Sequence, residues 1–158
     1  MIFGPSPASG NGTLLRGFDF EGGWGTGSVN RIKQAFGVSN VGPLQVIDAH
    51  TIARNYVFGA NFIGFSGHFP AYPILPAFVQ ILNALELAEE QIGEPVELAA
   101  VRNAKFLLEV QPDQEISVQC RERLIDGRAG CDVTIRTGDK VASKFVITFT
   151  KRKRDLGQ

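Results

Sequence analysis

The segment Pro76-Ala77-Phe78-Val79-Gln80-Ile81-Leu82-Asn83-Ala84-Leu85-Glu86-Leu87-Ala88-Glu89-Glu90-Gln91 decides the architecture. Phe78, Ile81, Leu82, Leu85 and Ala88 recur at three- and four-residue spacing, the period of an α-helix. Leu75 and Leu87 widen the stripe, so the pattern predicts a helix buried on more than one side. Proline at position 76 suits a first helical turn, where the backbone N–H has no partner to lose. Gly93 and Pro95 supply the stop.

Downstream of this helix the period changes from about three and a half residues to two. Leu98–Val110 reads as extended. Ile116, Val118 and Cys120 alternate with Ser117, Gln119 and Arg121, and Cys131, Val133 and Ile135 alternate with Asp132, Thr134 and Arg136. Asp126-Gly127 is a hairpin signal, and Gly138-Asp139 marks a second turn before Val141–Thr150. Upstream, Pro43–Asp48 reads as a strand and Thr51–Gly59 as another extended stretch. A short helix is expected over Ser28–Phe36, capped by Ser28, ended by Gly37, with Ile32, Ala35 and Phe36 on one face. The economical packing is an α+β layout: a single curved antiparallel sheet wrapped around one long central helix. Such a sheet leaves an edge strand and part of the helix uncovered, so a homodimer or higher homo-oligomer is expected.

The chain has 158 residues, the size of one domain, and 44% of them are apolar, enough for a core. Sixteen basic residues balance sixteen acidic ones, which argues against a nucleic-acid binder that needs surplus positive charge. No apolar run is long enough for a membrane-spanning helix. The opening residues lack the basic-then-apolar order of a secretory signal, and Cys120 and Cys131 alone cannot staple such a fold, so a cytoplasmic setting is expected. Eight glycines and only three charged side chains, Arg16, Asp19 and Glu21, fall in residues 1–30. We therefore divide the chain into a glycine-rich arm (1–27) anchored by Leu14, Leu15, Phe18, Phe20 and Trp24, a folded domain (28–150) and a basic tail (151–158).

The chemistry centres on residues 67–77, GHFPAYPILPA. Three prolines in seven residues stiffen a turn-rich loop directly before the buried helix. His68 on that loop has the side chain best suited to take and return a proton at neutral pH. The helix start at Pro76–Phe78 offers unpaired N–H groups and a positive dipole end. Together these suit proton abstraction next to a carbonyl, which builds an oxyanion. The plain alternative is a loop histidine that merely bonds backbone.

This segment resembles the β-hydroxyacyl-acyl carrier protein dehydratases of the hotdog fold, whose loop reads G-H-F-P-G-x-P-V-x-P-G. Glycine, histidine, phenylalanine and all three prolines match. PLQVID at 43–48 resembles the family's early strand, and AKFLLEVQP at 104–112 its strand after the helix. The resemblance covers about residues 30–150 and implies removal of water from a (3R)-3-hydroxyacyl thioester of acyl carrier protein or coenzyme A, in fatty-acid or related lipid synthesis. It assigns His68 as the base that takes the C2 proton and the N–H at Ala77 as the group that polarises the thioester carbonyl. Gly67 and Leu82 belong to the substrate site by position, and Phe65 and Phe69 are read as walls of an acyl tunnel. No cofactor or metal is expected.

The family's acid, a Glu or Asp fourteen residues after the histidine, is replaced here by Leu82. Glu86, one turn further on the same face, is the candidate substitute acid. Ala71 and Ala77 replace family glycines. Gln80 is read as a polar contact across paired helices, and Glu89 and Glu90 as a sign that the helix becomes exposed. Arg102 and Lys105, with Arg31 and the tail, are read as a docking site for an acidic carrier protein. His50 is read as a surface or interface histidine. Gly25-Thr26-Gly27 is rejected as a dinucleotide fingerprint because no alternating βαβ pattern follows. Two other functions stay open: a non-catalytic acyl-binding subunit or heterodimer partner, which Leu82 favours, and an acyl thioesterase.

Overall fold

The computed structural model describes residues 25–65 and 73–152. The order is helix α1 (Gly25–Ser39), strands β1 (Gln45–Asp48) and β2 (Thr51–Val57), a 3-10 turn (Ile63–Phe65), helix α2 (Ala77–Ile92), and strands β3 (Val96–Phe106), β4 (Glu115–Ile125), β5 (Arg128–Thr137) and β6 (Lys140–Lys151). The apolar stripe around Ile81 is α2. Every residue from Phe78 to Leu85 is buried, as are Leu87 and Ala88. Pro76 stands at its N-cap, and Gly93 ends it in the left-handed region (φ 87°), where its N–H donates to Glu89 O at 2.7 Å.

The six strands form one antiparallel sheet in the order β1-β2-β4-β5-β6-β3. Its inner face carries Ile116, Val118, Cys120, Cys131, Val133, Ile135, Phe145 and Ile147, all buried. Ser117, Gln119, Asp132 and Thr134 alternate with them and are only half-buried, as the period of two demands. Asp126 and Gly127 both have positive φ (55° and 79°), the type I′ geometry that lets two residues join twisted strands. The helix lies across the inner face. Gln80 reaches β6, Ala84 meets Cys120 of β4, and Glu90 pairs with Arg54 of β2. This is the hotdog arrangement, a curved sheet around one central helix.

Three boundaries differ from the sequence reading. Helix α1 begins before Ser28 and passes Gly37 to end at Ser39. Burial of Ile32 and Phe36 holds it, and Asn40 Nδ2 donates to Gly37 O at 3.0 Å, satisfying a carbonyl at its end. Leu98–Val110 is not one extended run: β3 starts at Val96 and ends at Phe106, and Leu107 and Leu108 donate instead to Ala142 O. Asn103 (φ 53°) stands where the register slips between Arg102 and Lys105, a bulge in an edge strand. Lys151, assigned above to the tail, pairs with Val96 as the last residue of β6. The arm through Trp24 and the tail from Lys153 lie outside the described residues.

Two glycines give opposite expectations. A methyl on Gly37 would meet nothing within 4 Å, so Gly37→Ala should stabilise by about 0.5–1 kcal/mol through helix propensity. A methyl on Gly130 would meet Ile147 O at 2.5 Å and Ile125 Cδ1 at 2.6 Å, so Gly130→Ala should destabilise by about 1–3 kcal/mol. Urea denaturation midpoints of the two variants test both signs.

Candidate functional site

The Gly67–Ala77 motif joins two fixed ends. On the upstream side, the 3-10 turn delivers Phe65 into an aromatic cluster. Its ring is edge-on to Phe62 with centroids 5.8 Å apart, and Phe62 in turn packs on Phe58 and Phe36. Phe65 is buried. On the downstream side, Ile74 and Leu75 are buried, and Leu75 N donates to Val110 O at 2.7 Å. Residues 66–72 lie outside the described residues, and with them Gly67, His68 and Phe69.

Gln80 secures the downstream end. Its Nε2 donates to Leu75 O at 3.2 Å, and its Oε1 accepts from Ser143 Oγ at 2.8 Å. Gln80, read above as a contact across paired helices, spends one N–H and one lone pair of its amide inside its own subunit. The two bonds pin the residues before α2 to β6. Val79 N and Gln80 N both donate to Pro76 O, while Pro76 provides no side-chain cap. The N–H of Ala77 therefore meets no acceptor among the described residues, and Ala77 itself is partly exposed. Among the described residues, a hydrogen-bond donor at the positive end of a helix is left open.

Leu82 is 4% exposed and packs within the core. Glu86 lies elsewhere, about 14 Å along the axis from Ala77. Its side chain is 37% exposed and faces α1, where Lys33 Nζ lies 4.0 Å away. Burial pushes the Glu86 carboxyl above its ordinary value, Lys33 partly opposing this. Glu89 also meets Lys33, at 3.8 Å, and accepts from Val96 N, while Glu90 takes a two-point grip from Arg54 at 2.7 and 3.0 Å. Burial raises Tyr56, beside Arg54, to about 12, so its hydroxyl stays protonated at neutral pH.

Two features escape a reading by motif. Asn83 is 0% exposed, and neither its Oδ1 nor its Nδ2 has a hydrogen-bond partner. Glu90 lies about two turns on, so Asn83 faces the β2 side of the core. The second is a groove of about 670 Å³ between α1 and the approach to the loop, lined by Arg31, Gln34, Ala35, Val38, Ala60 and Phe62. It is the right size for a small-molecule site and opens beside the aromatic cluster. No sequence pattern announces it, because packing of α1 creates it.

The remaining candidates separate. Arg102 is engaged by Asp126 of the β4–β5 turn at 2.7 Å, whereas Lys105 is exposed. His50 is exposed in the β1–β2 turn. Its N–H donates to Asp48 Oδ1 at 2.8 Å, which with Thr51 draws the Asp48 carboxyl below its ordinary value. Cys120 and Cys131 are free and buried, and the neighbouring Cys131 together with burial raises the Cys120 thiol. Among the described residues no group of three or more His, Cys, Asp or Glu converges as a metal site. No described helix is long and apolar enough to cross a membrane.

Asn83→Leu keeps the branched shape and removes two unsatisfied polar atoms, so it should stabilise the fold by about 1–3 kcal/mol in a denaturant titration. The raised Glu86 carboxyl means the folded state holds its proton to higher pH than the unfolded chain. Its contribution to stability therefore falls as pH rises from the ordinary carboxylate value through the raised one. In Glu86→Gln that decline should be gone, leaving a melting temperature that varies less with pH above the ordinary carboxylate value.

Comparison with known proteins agrees with this layout. The family model described as ApeI-like, ApeI dehydratase, matches residues 45–144. The 3-hydroxyacyl-acyl-carrier-protein dehydratase FabZ of Levilactobacillus brevis is 31% identical over 109 residues, 63% of this chain and 71% of that protein. Among solved structures, the dehydratase heterocomplex ApeI:P from Xenorhabdus doucetiae superposes with a TM-score of 0.60 at 18% identity, over 71% of this chain and 96% of that one. The PaaI protein of the E. coli phenylacetic acid degradation operon shares the fold at TM-score 0.55 and 14% identity, over 78% of this chain and 89% of that one. The chain belongs to the ApeI-like family of hotdog dehydratases.

Proposed function

We propose that the protein removes water from (3R)-3-hydroxyacyl thioesters, carried by acyl carrier protein or coenzyme A, in fatty-acid or related lipid synthesis in the cytoplasm. The observation that carries this reading is the open N–H of Ala77 at the start of buried α2, directly downstream of the Gly67–Pro76 motif. In this mechanism the His68 imidazole takes the C2 proton and the electron pair moves toward the thioester carbonyl. The Ala77 N–H stabilises the oxygen on which charge develops. The C2–C3 double bond then forms as the C3 hydroxyl departs, taking a proton to leave as water. Phe65, with Phe69, walls the acyl chain.

The proton for the departing hydroxyl needs its own source, since Leu82 has none to give. Glu86 has the raised affinity for a proton that an acid needs, but within one subunit it lies toward α1, far along the helix from Ala77. A second reading follows from that observation: the chain contributes the base and a different subunit contributes the acid, as a heterodimer. A relative solved as a heterocomplex supports the possibility of such pairing. In either assembly the open edge strand β3 is the surface we assign to subunit pairing. It is eleven residues long and exposes half-buried Leu98, Ala99 and Ala100 along its free edge.

Hydration of an enoyl thioester, followed by loss of its ultraviolet absorbance, tests the reading in the reverse direction. His68→Ala should lower the rate by about 10²–10⁴-fold. A rate equal to that of the unaltered protein sinks the mechanism. Glu86→Gln should lower it comparably only if Glu86 is the acid; an unchanged rate assigns the proton to another chain or to water.

A further inference from the structure

The groove of about 670 Å³ beside α1 takes no part in the reaction described above. One wall is a single face of α1, where Arg31, Gln34, Ala35 and Val38 follow at three- and four-residue spacing. The other wall includes Ala60 and Phe62. The helix wall is polar toward the start of α1 and apolar toward its end. Val38 is 85% exposed, and Val41 in the adjoining turn is 43% exposed, so apolar surface stands uncovered at that end. Arg31 has no ion-pair partner among the described residues. Other cations share that property, but Arg31 lines a concave surface to which no Asp or Glu contributes. The Asp113 carboxylate approaches the Gly59 backbone without lining the groove. A fitting occupant therefore carries negative charge toward Arg31 and apolar bulk toward Val38.

The chain that enters α1 has this character. It reads Leu14-Leu15-Arg16-Gly17-Phe18-Asp19-Phe20-Glu21-Gly22-Gly23-Trp24 and joins the helix at Gly25. Phe18 and Phe20 alternate with Asp19 and Glu21, so an extended segment would set two rings on one side and two carboxylates on the other. Gly22-Gly23 can adopt the backbone angles of a reversal at little steric cost. The lengths also agree. Arg31 and Val38 lie about 9 and 20 Å along the helix from Gly25. Counted back from Gly22 at the rise of a strand, Asp19 is reached after about 10 Å and Leu15 after about 23 Å.

We propose that residues 14–21 dock in the α1 groove of their own chain, reversed at Gly22-Gly23 to run antiparallel to the helix. Asp19 and Glu21 then face Arg31, and Phe18, Leu15 and Leu14 cover Ala35 and Val38. The docked segment bears on Phe62, whose ring packs on Phe58 at 4.5 Å between centroids and stands edge-on to Phe65. Gln80 secures the downstream end of the His68 loop, and the docked segment braces the upstream end at Phe65.

Disulfide trapping in the full chain tests the docking without any turnover. In Leu15→Cys/Val38→Cys, oxidised glutathione should close the bond at least about tenfold faster than in Leu15→Cys/Leu124→Cys, because docking concentrates one thiol at the other. Leu124 is 72% exposed and lines no part of the groove, so it serves as the control. Cys120 and Cys131 are buried. Adding Arg31→Glu to the first pair should slow its closure by about two- to fivefold at low salt. Adding Asp19→Arg/Glu21→Arg as well should restore the rate, a rescue that simple damage to α1 would not show. Oxidising a mixture of nitrogen-15-labelled and unlabelled protein and weighing the products assigns the bond. Bonds within single chains support the proposal. Equal rates in the two cysteine pairs overturn it. So does a rate that Arg31→Glu leaves unchanged, and so do bonds found only between labelled and unlabelled chains, which give the groove to a second copy.

Discussion

The rest of the structure depends on the burial of α2. A helix apolar on nearly every side cannot be stable against a flat surface, because at least one stripe would stay in water. The curved sheet covers one side, and α1 lies against another through Lys33, which meets Glu86 and Glu89. Once the helix is enclosed, its N-terminus has little freedom, and the segment before it inherits that order. Leu75 is tied to Val110, and Gln80 ties Leu75 to Ser143. Two buried hydrogen bonds from one amide convert the position of a helix into the position of a loop. The open N–H of Ala77 is aimed by the same contacts.

Those features that depend on local chemistry were legible in the sequence. The α2 stripe, the Gly93 stop and the Asp126-Gly127 turn each follow from side-chain spacing or from a backbone angle that few residues adopt. What depends on register was not. The sequence alone does not show that Gln80 meets Ser143, sixty-three residues away on β6. Arg102 looked free until the hairpin turn brought up Asp126, twenty-four residues away in sequence. Gly37 looked like a helix stop, but Phe36 immediately before it is buried, and packing outweighs the roughly 1 kcal/mol that a helical glycine costs. The Lys105–Lys144 pairing is of this kind as well: thirty-eight residues of intervening chain hide it until the strands are aligned.

Two neighbouring positions on α2 show how core stability and chemistry are traded. A carboxylate at position 82 would be enclosed by the core that now surrounds Leu82, and burial would hold it protonated at a cost to the fold. Leucine there removes both the acid and the cost, and adds apolar burial. At Asn83 the opposite choice stands: a fully enclosed amide with no partner, which a branched apolar residue of similar shape would improve. The two substitutions do not express a general preference for a hydrophobic helix. Leu82 adds apolar burial to the subunit as a folded body. The helix start has no side-chain cap. Under the dehydratase reading, a chain that retains the donor for the carbonyl oxygen and discards the acid is suited to a site closed by a second polypeptide. The asymmetry between Leu82 and Ala77 then has one origin: stability is optimised where the partner supplies the function, and left open where this chain must.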